Sequence, residues 1–200
     1  MIKFILVLTL LPFSALGLEL KVGDIILQPL QCWTCQLIMA QEKSNFSHMG
    51  LVIKTHPEVL IAESLGAVKL TPLKEFLGRT EGHSHSVKRF KDQSVVQYFV
   101  RHEKHFFHFF KEHYEGLPYD SQFLWENMDE EGREKLYCSE MIAKVLEEFL
   151  KIEMPMKKMN YDINRNHWIE YFKGNPPDGK WGNAPADFER SPLFYEVGQP

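Results

Sequence analysis

HMGLVIKTHPEVLIAES, residues 48–64, carries two runs of apolar residues around a polar break. Leu51-Val52-Ile53 reads as a buried strand, Thr55 to Glu58 as a turn, and Val59 to Ser64 as a second strand. Two short strands joined this closely predict an antiparallel hairpin. A turn centred on 55–58 brings His48 and Glu63 to the same end of that hairpin, nearly opposite one another. A histidine at a strand start is commonly structural, and a glutamate at a strand end is commonly solvated. A carboxylate within reach of an imidazole is also the arrangement of a general base and the group that orients it.

The pattern continues on both sides. GDIILQ (23–28) is a turn followed by a short β-rich run, and residues 29–43 look helical after Pro29. Gly66 turns the chain into AVKL (67–70), so 59–70 predicts a further hairpin. Thr71-Pro72 has the chemistry to start a short helix through Leu77. GRTEGHSH (78–85) reads as a loop and SVKRF (86–90) as a strand. Over 94–115, Val96, Phe99, Val100, Phe106, Phe107, Phe110 and Tyr114 lie close to helical spacing, and Gly116 and Pro118 end the helix. Residues 127–135 form a polar loop or one exposed turn. From Ser139, the apolar Met141, Ile142, Val145, Leu146, Phe149 and Leu150 make an amphipathic stripe. After Pro155 the chain turns polar, with 174–185 as an irregular tail. Clustered short strands with helices beside them predict an α+β domain with a small, mostly antiparallel sheet.

Cys138 stands immediately ahead of that last helix, in LYCSEMI (136–142). A helix N-terminus favours a thiolate, and its free N–H groups can hold an oxyanion. An unpaired cysteine is also commonly a small buried hydrophobe. The chain opens with MIKFILVLTLLPFSALG (1–17): one lysine, an apolar run from Phe4 to Leu11 too short to span a bilayer, and small residues at 15 and 17. This predicts a signal peptide cut after Gly17, and a periplasmic or extracellular protein. Such a compartment favours paired cysteines. Cys32 and Cys35 can close locally, which leaves Cys138 free. A thioredoxin-type role for that pair lacks its βαβ context, and a zinc site would need two further ligands.

GDIILQ, FSHMGLVI, ES followed by GAVKLTPL, YD and YCSEMI, in this order, resemble the YiiX/YebB-like group of permuted NlpC/P60 (papain-like) cysteine hydrolases. The match spans about residues 22–152. In the permuted group histidine precedes cysteine along the chain, as here. The resemblance implies a circularly permuted papain-like fold, with Cys138 as nucleophile, His48 as base and Glu63 as the orienting carboxylate. It places Tyr137 near the oxyanion or substrate site. It gives Asp120, in YD, no assigned role; loop anchoring or helix capping is the simple reading. The implied organisation is a signal peptide over 1–17, a catalytic domain over 18–155 and a C-terminal extension over 156–200.

The expected activity is cleavage of an amide or ester bond through a thioester. The expected substrate is a small peptide, a peptidoglycan fragment or an acylated molecule. No cofactor and no metal are expected. His102, His105 and His108 fit a solvated helix face, and Phe106, Phe107, Phe109 and Phe110 fit either core packing or an acyl groove. A formal charge of −4 argues against a nucleic-acid partner, and after the first seventeen residues no stretch is apolar enough to cross a membrane. The glycosylation sequon at 45–47 would crowd His48, which favours a bacterial envelope protein. Two other readings are an inactive papain-like module that binds peptides or lipids, and a thiol–disulfide protein working through Cys32 and Cys35.

Overall fold

The computed structural model describes residues 18–200; the expected signal peptide lies outside the described residues. In chain order the elements are β1 (Ile25–Gln28), α1 (Trp33–Glu42), β2 (His48–Lys54), β3 (Leu60–Leu65), β4 (Ala67–Pro72), α2 (Leu73–Gly78), β5 (Ser86–Phe90), α3 (Gln93–His113), β6 (Asn127–Met128), β7 (Glu134–Lys135), α4 (Cys138–Leu150), β8 (Lys157–Lys158), α5 (Arg165–Phe172), β9 (Trp181–Gly182), α6 (Pro185–Arg190) and β10 (Phe194–Gly198). Six strands form one sheet in the order β10-β5-β1-β2-β3-β4, and every pairing in it is antiparallel. The α+β architecture expected from the sequence is the one observed.

Helices cover both faces of this sheet. On one face Ile25, Leu27, Met49, Leu51 and Ile53 pack against Phe99, Phe106 and Phe110 of α3 and Met141, Ile142 and Val145 of α4. On the other face Ile26, Val52, Ile61 and Val87 pack with Phe76 of α2. Burial on both sides explains why Leu51-Val52-Ile53 is a continuous apolar run rather than an alternation. Side chains two apart along a strand share a face. His48 therefore lies on the α2 side with Val52, and Glu63 joins it there with Ile61.

The GD opening is structural. Gly23 has φ +89, and a Cβ there would sit 2.4 Å from Cδ2 of Phe99, so glycine serves both the turn and the close helix approach. Buried Asp24 accepts two hydrogen bonds from Arg89, each 2.7 Å, and a third from the Lys21 N–H. This fork ties β1 to β5 from the side of the chain's first described residues.

Three regions differ from the sequence reading. The helix over 94–115 is kinked at His102 (φ −114, ψ 19), whose Nδ1 donates to the Tyr98 carbonyl at 2.8 Å. The side chain thereby takes the acceptor that the helical backbone N–H would use. Residues 127–135 form a small hairpin, β6–β7, because Asp129 accepts from the N–H groups of Glu131 and Arg133 and closes the turn. The segment after Pro155, read as polar with an irregular stretch, contributes α6 and then β10, which pairs with β5 at the sheet edge. Phe188 and Phe194 anchor it in the main core, with Phe194 4.6 Å from the Phe90 ring.

Candidate active site

Cys138 is the first residue of α4, one position further into the helix than the sequence stripe indicates. Tyr137 is the N-cap, in extended conformation (φ −87, ψ 168). The segment entering the helix is tied on two sides. The Leu136 carbonyl accepts from Ser64 Oγ of β3 (2.5 Å) and from the Asp120 N–H (3.2 Å), and the Leu136 N–H donates to the Pro118 carbonyl. The sulfur is thus delivered to the end of the sheet where β2 begins. The N–H groups of the first turn have no partner within the helix and carry partial positive charge.

His48 and Glu63 are both buried, and His48 Nε2 lies 2.8 Å from Glu63 Oε2. The observed register pairs Leu51 with Ala62. One step further sets Gly50 opposite Glu63, so the histidine and glutamate are diagonal rather than direct neighbours. Gly50 makes the diagonal contact feasible. A Cβ there would stand 2.3 Å from Ile61 Cγ2 and 2.8 Å from the Phe76 ring, and that ring lies 5.8 Å from the His48 imidazole.

Glu63 is saturated with donors. Arg79 donates Nη1 to Oε2 and Nη2 to Oε1, both at 2.7 Å, and Thr71 Oγ1 donates to Oε1 at 2.5 Å. Burial pushes this carboxyl's pKa up, but the bonds from His48 and Arg79 outweigh burial and hold it at about 2. Burial alone would push His48 down; hydrogen bonds to Cys138 and Glu63 outweigh it and raise the imidazole to about 9. With Nε2 given to the carboxylate, Nδ1 remains for the sulfur.

These shifts predict the pH range of stability. Glu63, depressed from 4.5, contributes stability that is present above pH 4.5 and lost as pH falls through about 2. His48, raised from 6.5, contributes stability that is full below pH 6.5 and lost as pH rises through about 9. Glu140, raised by burial from 4.5 to about 7, adds to the decline as pH rises through that range. Urea midpoints measured across pH should peak at mildly acidic pH, and His48→Ala should flatten the alkaline decline.

A cavity of about 470 Å³ opens beside the sulfur. Both Cys138 and His48 line it. Its aromatic wall runs outward from Cys138. Tyr137 meets Phe123 edge-on at 5.7 Å, Phe123 stacks on Tyr171 at 5.6 Å, and Tyr171 adjoins Trp168, which adjoins Tyr161. Phe123 holds a left-handed backbone conformation (φ +52). Asp120 fixes that loop by accepting from the N–H groups of Gln122 and Leu124 and from Asn127 Nδ2. This is the loop anchor foreseen for the YD aspartate. The rim carries the Cys32–Cys35 disulfide, with Cys32 as the N-cap of α1.

The structure therefore brings Cys138, His48 and Glu63 together. The Tyr137 ring lines the same cavity, while its hydroxyl accepts from the Asn183 N–H at 3.1 Å. Sequence reasoning missed Arg79 and Thr71. It also missed Tyr119, which lines the cavity and whose pKa is raised by burial and by the nearby Cys138. Tyr161, Trp168 and Tyr171, outside the expected catalytic domain, complete the wall. Phe106 and Phe110 are core residues against α4, and none of the four clustered phenylalanines lines the cavity. Among the described residues no group of three or more His, Cys, Asp or Glu is placed to hold a metal ion, and no helix is long and apolar enough to cross a membrane.

Residues 19–197 match the family described as permuted papain-like amidase enzyme, YaeF/YiiX, C92 family. The uncharacterized protein YiiX of Escherichia coli K12 is 26% identical over 163 residues, 80% of this chain and 75% of that protein. The crystal structure described as metalloprotein yiiX from Escherichia coli O157:H7 has a TM-score of 0.73 at 24% identity, covering 90% of this chain and 97% of that one.

Proposed function

Because this chain belongs to the permuted papain-like amidase family, we propose that it is a cysteine hydrolase that cleaves an amide or ester of an apolar acyl group through a thioester on Cys138. The observation that carries the reading is the buried His48–Glu63 pair, 2.8 Å apart, with His48 and Cys138 lining the same cavity.

In this mechanism the thiol proton already resides on the imidazole, and the sulfur attacks as a thiolate. The substrate carbonyl becomes an oxyanion held by N–H groups of the first turn of α4, with the Tyr119 hydroxyl alongside. The tetrahedral intermediate collapses as His48 gives its proton to the leaving amine or alcohol, and the acyl group stays on sulfur. Water, deprotonated by His48, then attacks the thioester. The acid departs, the thiolate is restored and the ring regains its proton. Glu63 holds the ring in place throughout.

The aromatic wall supports an acyl group over a polar peptidoglycan peptide, because an apolar cavity rewards apolar surface. The closed Cys32–Cys35 disulfide supports export to an oxidising compartment, periplasmic or extracellular. Although the Escherichia coli neighbour is described as a metalloprotein, the described side chains here offer no three-ligand group, so no step is assigned to a metal.

The test is hydrolysis of a homologous ester series from acetyl upward. Each methylene that enters the cavity is worth about 0.8 kcal/mol, or about fourfold in kcat/KM, so octanoyl should far exceed acetyl. Equal rates across the series would remove the acyl assignment. Binding without turnover would replace the hydrolase with a binding module.

A further inference from the structure

Arg79 lies outside direct reach of the reacting sulfur, and the geometry points to it as a positioning residue for the proposed reaction. We infer that its guanidinium keeps Glu63 ionised and offsets the pull of that carboxylate on the His48 proton, so that the proton can pass to the leaving group. This inference rests on the Cys138–His48 reading given above.

Glu63 has no exposed surface, so its charge is answered inside the protein. A buried carboxylate facing only an imidazolium has an alternative: the proton moves across and both groups become neutral. A neutral glutamic acid would then no longer hold the ring as an ion-pair partner. The Arg79 fork forecloses that exchange, because guanidinium does not surrender a proton in this range and both its bonds fall on the same carboxylate. Thiolate, imidazolium, carboxylate and guanidinium together are electrically neutral. Without the guanidinium, the carboxylate would compete for the imidazolium proton, and the thiolate would lose its counter-charge.

The placement of Arg79 is built. It follows α2, is mostly buried, and lies over the Phe76 ring, which also touches His48. Glu75 accepts a second bond from Nη2 at 3.2 Å. The other groups facing the carboxylate are Thr71 and the half-exposed Lys69 of β4, whose Nζ stands 4.0 Å from Oε1. Lys69 approaches one oxygen from solvent and cannot replace the fork.

The test is the pH dependence of Cys138 alkylation by iodoacetamide, with kcat and KM for the acyl ester. In the unmodified protein, alkylation at neutral pH should be markedly faster than in His48→Ala. Arg79→Ala should move the acid limit of alkylation up by about one pH unit or more. It should lower kcat by about tenfold to a hundredfold, with KM little changed. Millimolar guanidinium should restore part of both, and Arg79→Lys should fall between the two proteins. An Arg79→Ala profile that superimposes on the unmodified one would overturn the role of Arg79 alone. Equal alkylation of the unmodified protein and His48→Ala would instead overturn the Cys138–His48 reading beneath it. If Arg79→Ala fails to fold by thermal denaturation, Arg79→Lys decides: a displaced acid limit sustains the inference, and an undisplaced one ends it.

Discussion

Cys138→Ser should abolish the proposed turnover, with an expected loss of about four to six orders of magnitude in kcat, while the protein stays folded. The exchange is nearly isosteric, and the site is partly open to the cavity, so packing changes little. The chemistry changes completely. The imidazole, raised to about 9, already carries a proton at neutral pH. That elevation depends on Cys138; a serine hydroxyl stays protonated far above the pH at which a thiol ionises, so no anion forms beside the ring. The check is mass spectrometry of the protein after exposure to an activated acyl ester. A single adduct should form on Cys138 and be absent from the serine variant. A serine variant that retains a hundredth of the activity would remove the thiolate from the mechanism.

Glu63→Gln should damage both activity and stability. The carboxylate takes four donor contacts on two oxygens, from His48, Thr71 and both arms of Arg79. An amide offers one oxygen and brings two donors of its own, so at least one arm of Arg79 or the imidazole faces a hydrogen it cannot bond. Removing one side of a buried charge pair costs about 3–5 kcal/mol. Loss of the group that orients a catalytic imidazole costs about four orders of magnitude in turnover elsewhere, and a comparable loss is expected here. The diagnostic feature is the acid range. The fall in stability between pH 4.5 and about 2 belongs to Glu63 and should disappear in the variant. Urea denaturation at closely spaced pH values reads this directly. An unchanged acid transition would assign the loss to other carboxylates.

How much of this was legible in the sequence follows from the range of the interactions. The hairpin that carries His48 and Glu63 is local: its strands, turn and register lie within one short stretch. Cys138 was legible because the amphipathic stripe of α4 has a clear period, and the period fixes where the helix begins to within a residue. The near-opposite placement of His48 and Glu63 was legible from the turn at 55–58, and the observed register keeps it; the packing of Phe76 of α2 against Gly50 was not. Arg79 sits in a polar loop without periodicity, and only the folded chain shows that its side chain turns inward. The aromatic wall was hidden for a related reason. Phe123, Trp168 and Tyr171 are separated by glycines, prolines and charges, and no local pattern records that they meet. The hydroxyl of Tyr137 was similarly committed to Asn183, a partner far along the chain.

The last strand gives the site a temporal dimension. Phe194 pairs with Phe90 at the sheet edge, and Trp168 and Tyr171, which line the cavity, precede that strand along the chain. Contacts so distant along the chain are slow to form. During synthesis Cys138 and His48 emerge well before Trp168 and Tyr171. A nascent chain thus carries Cys138 before the aromatic wall that adjoins it has formed.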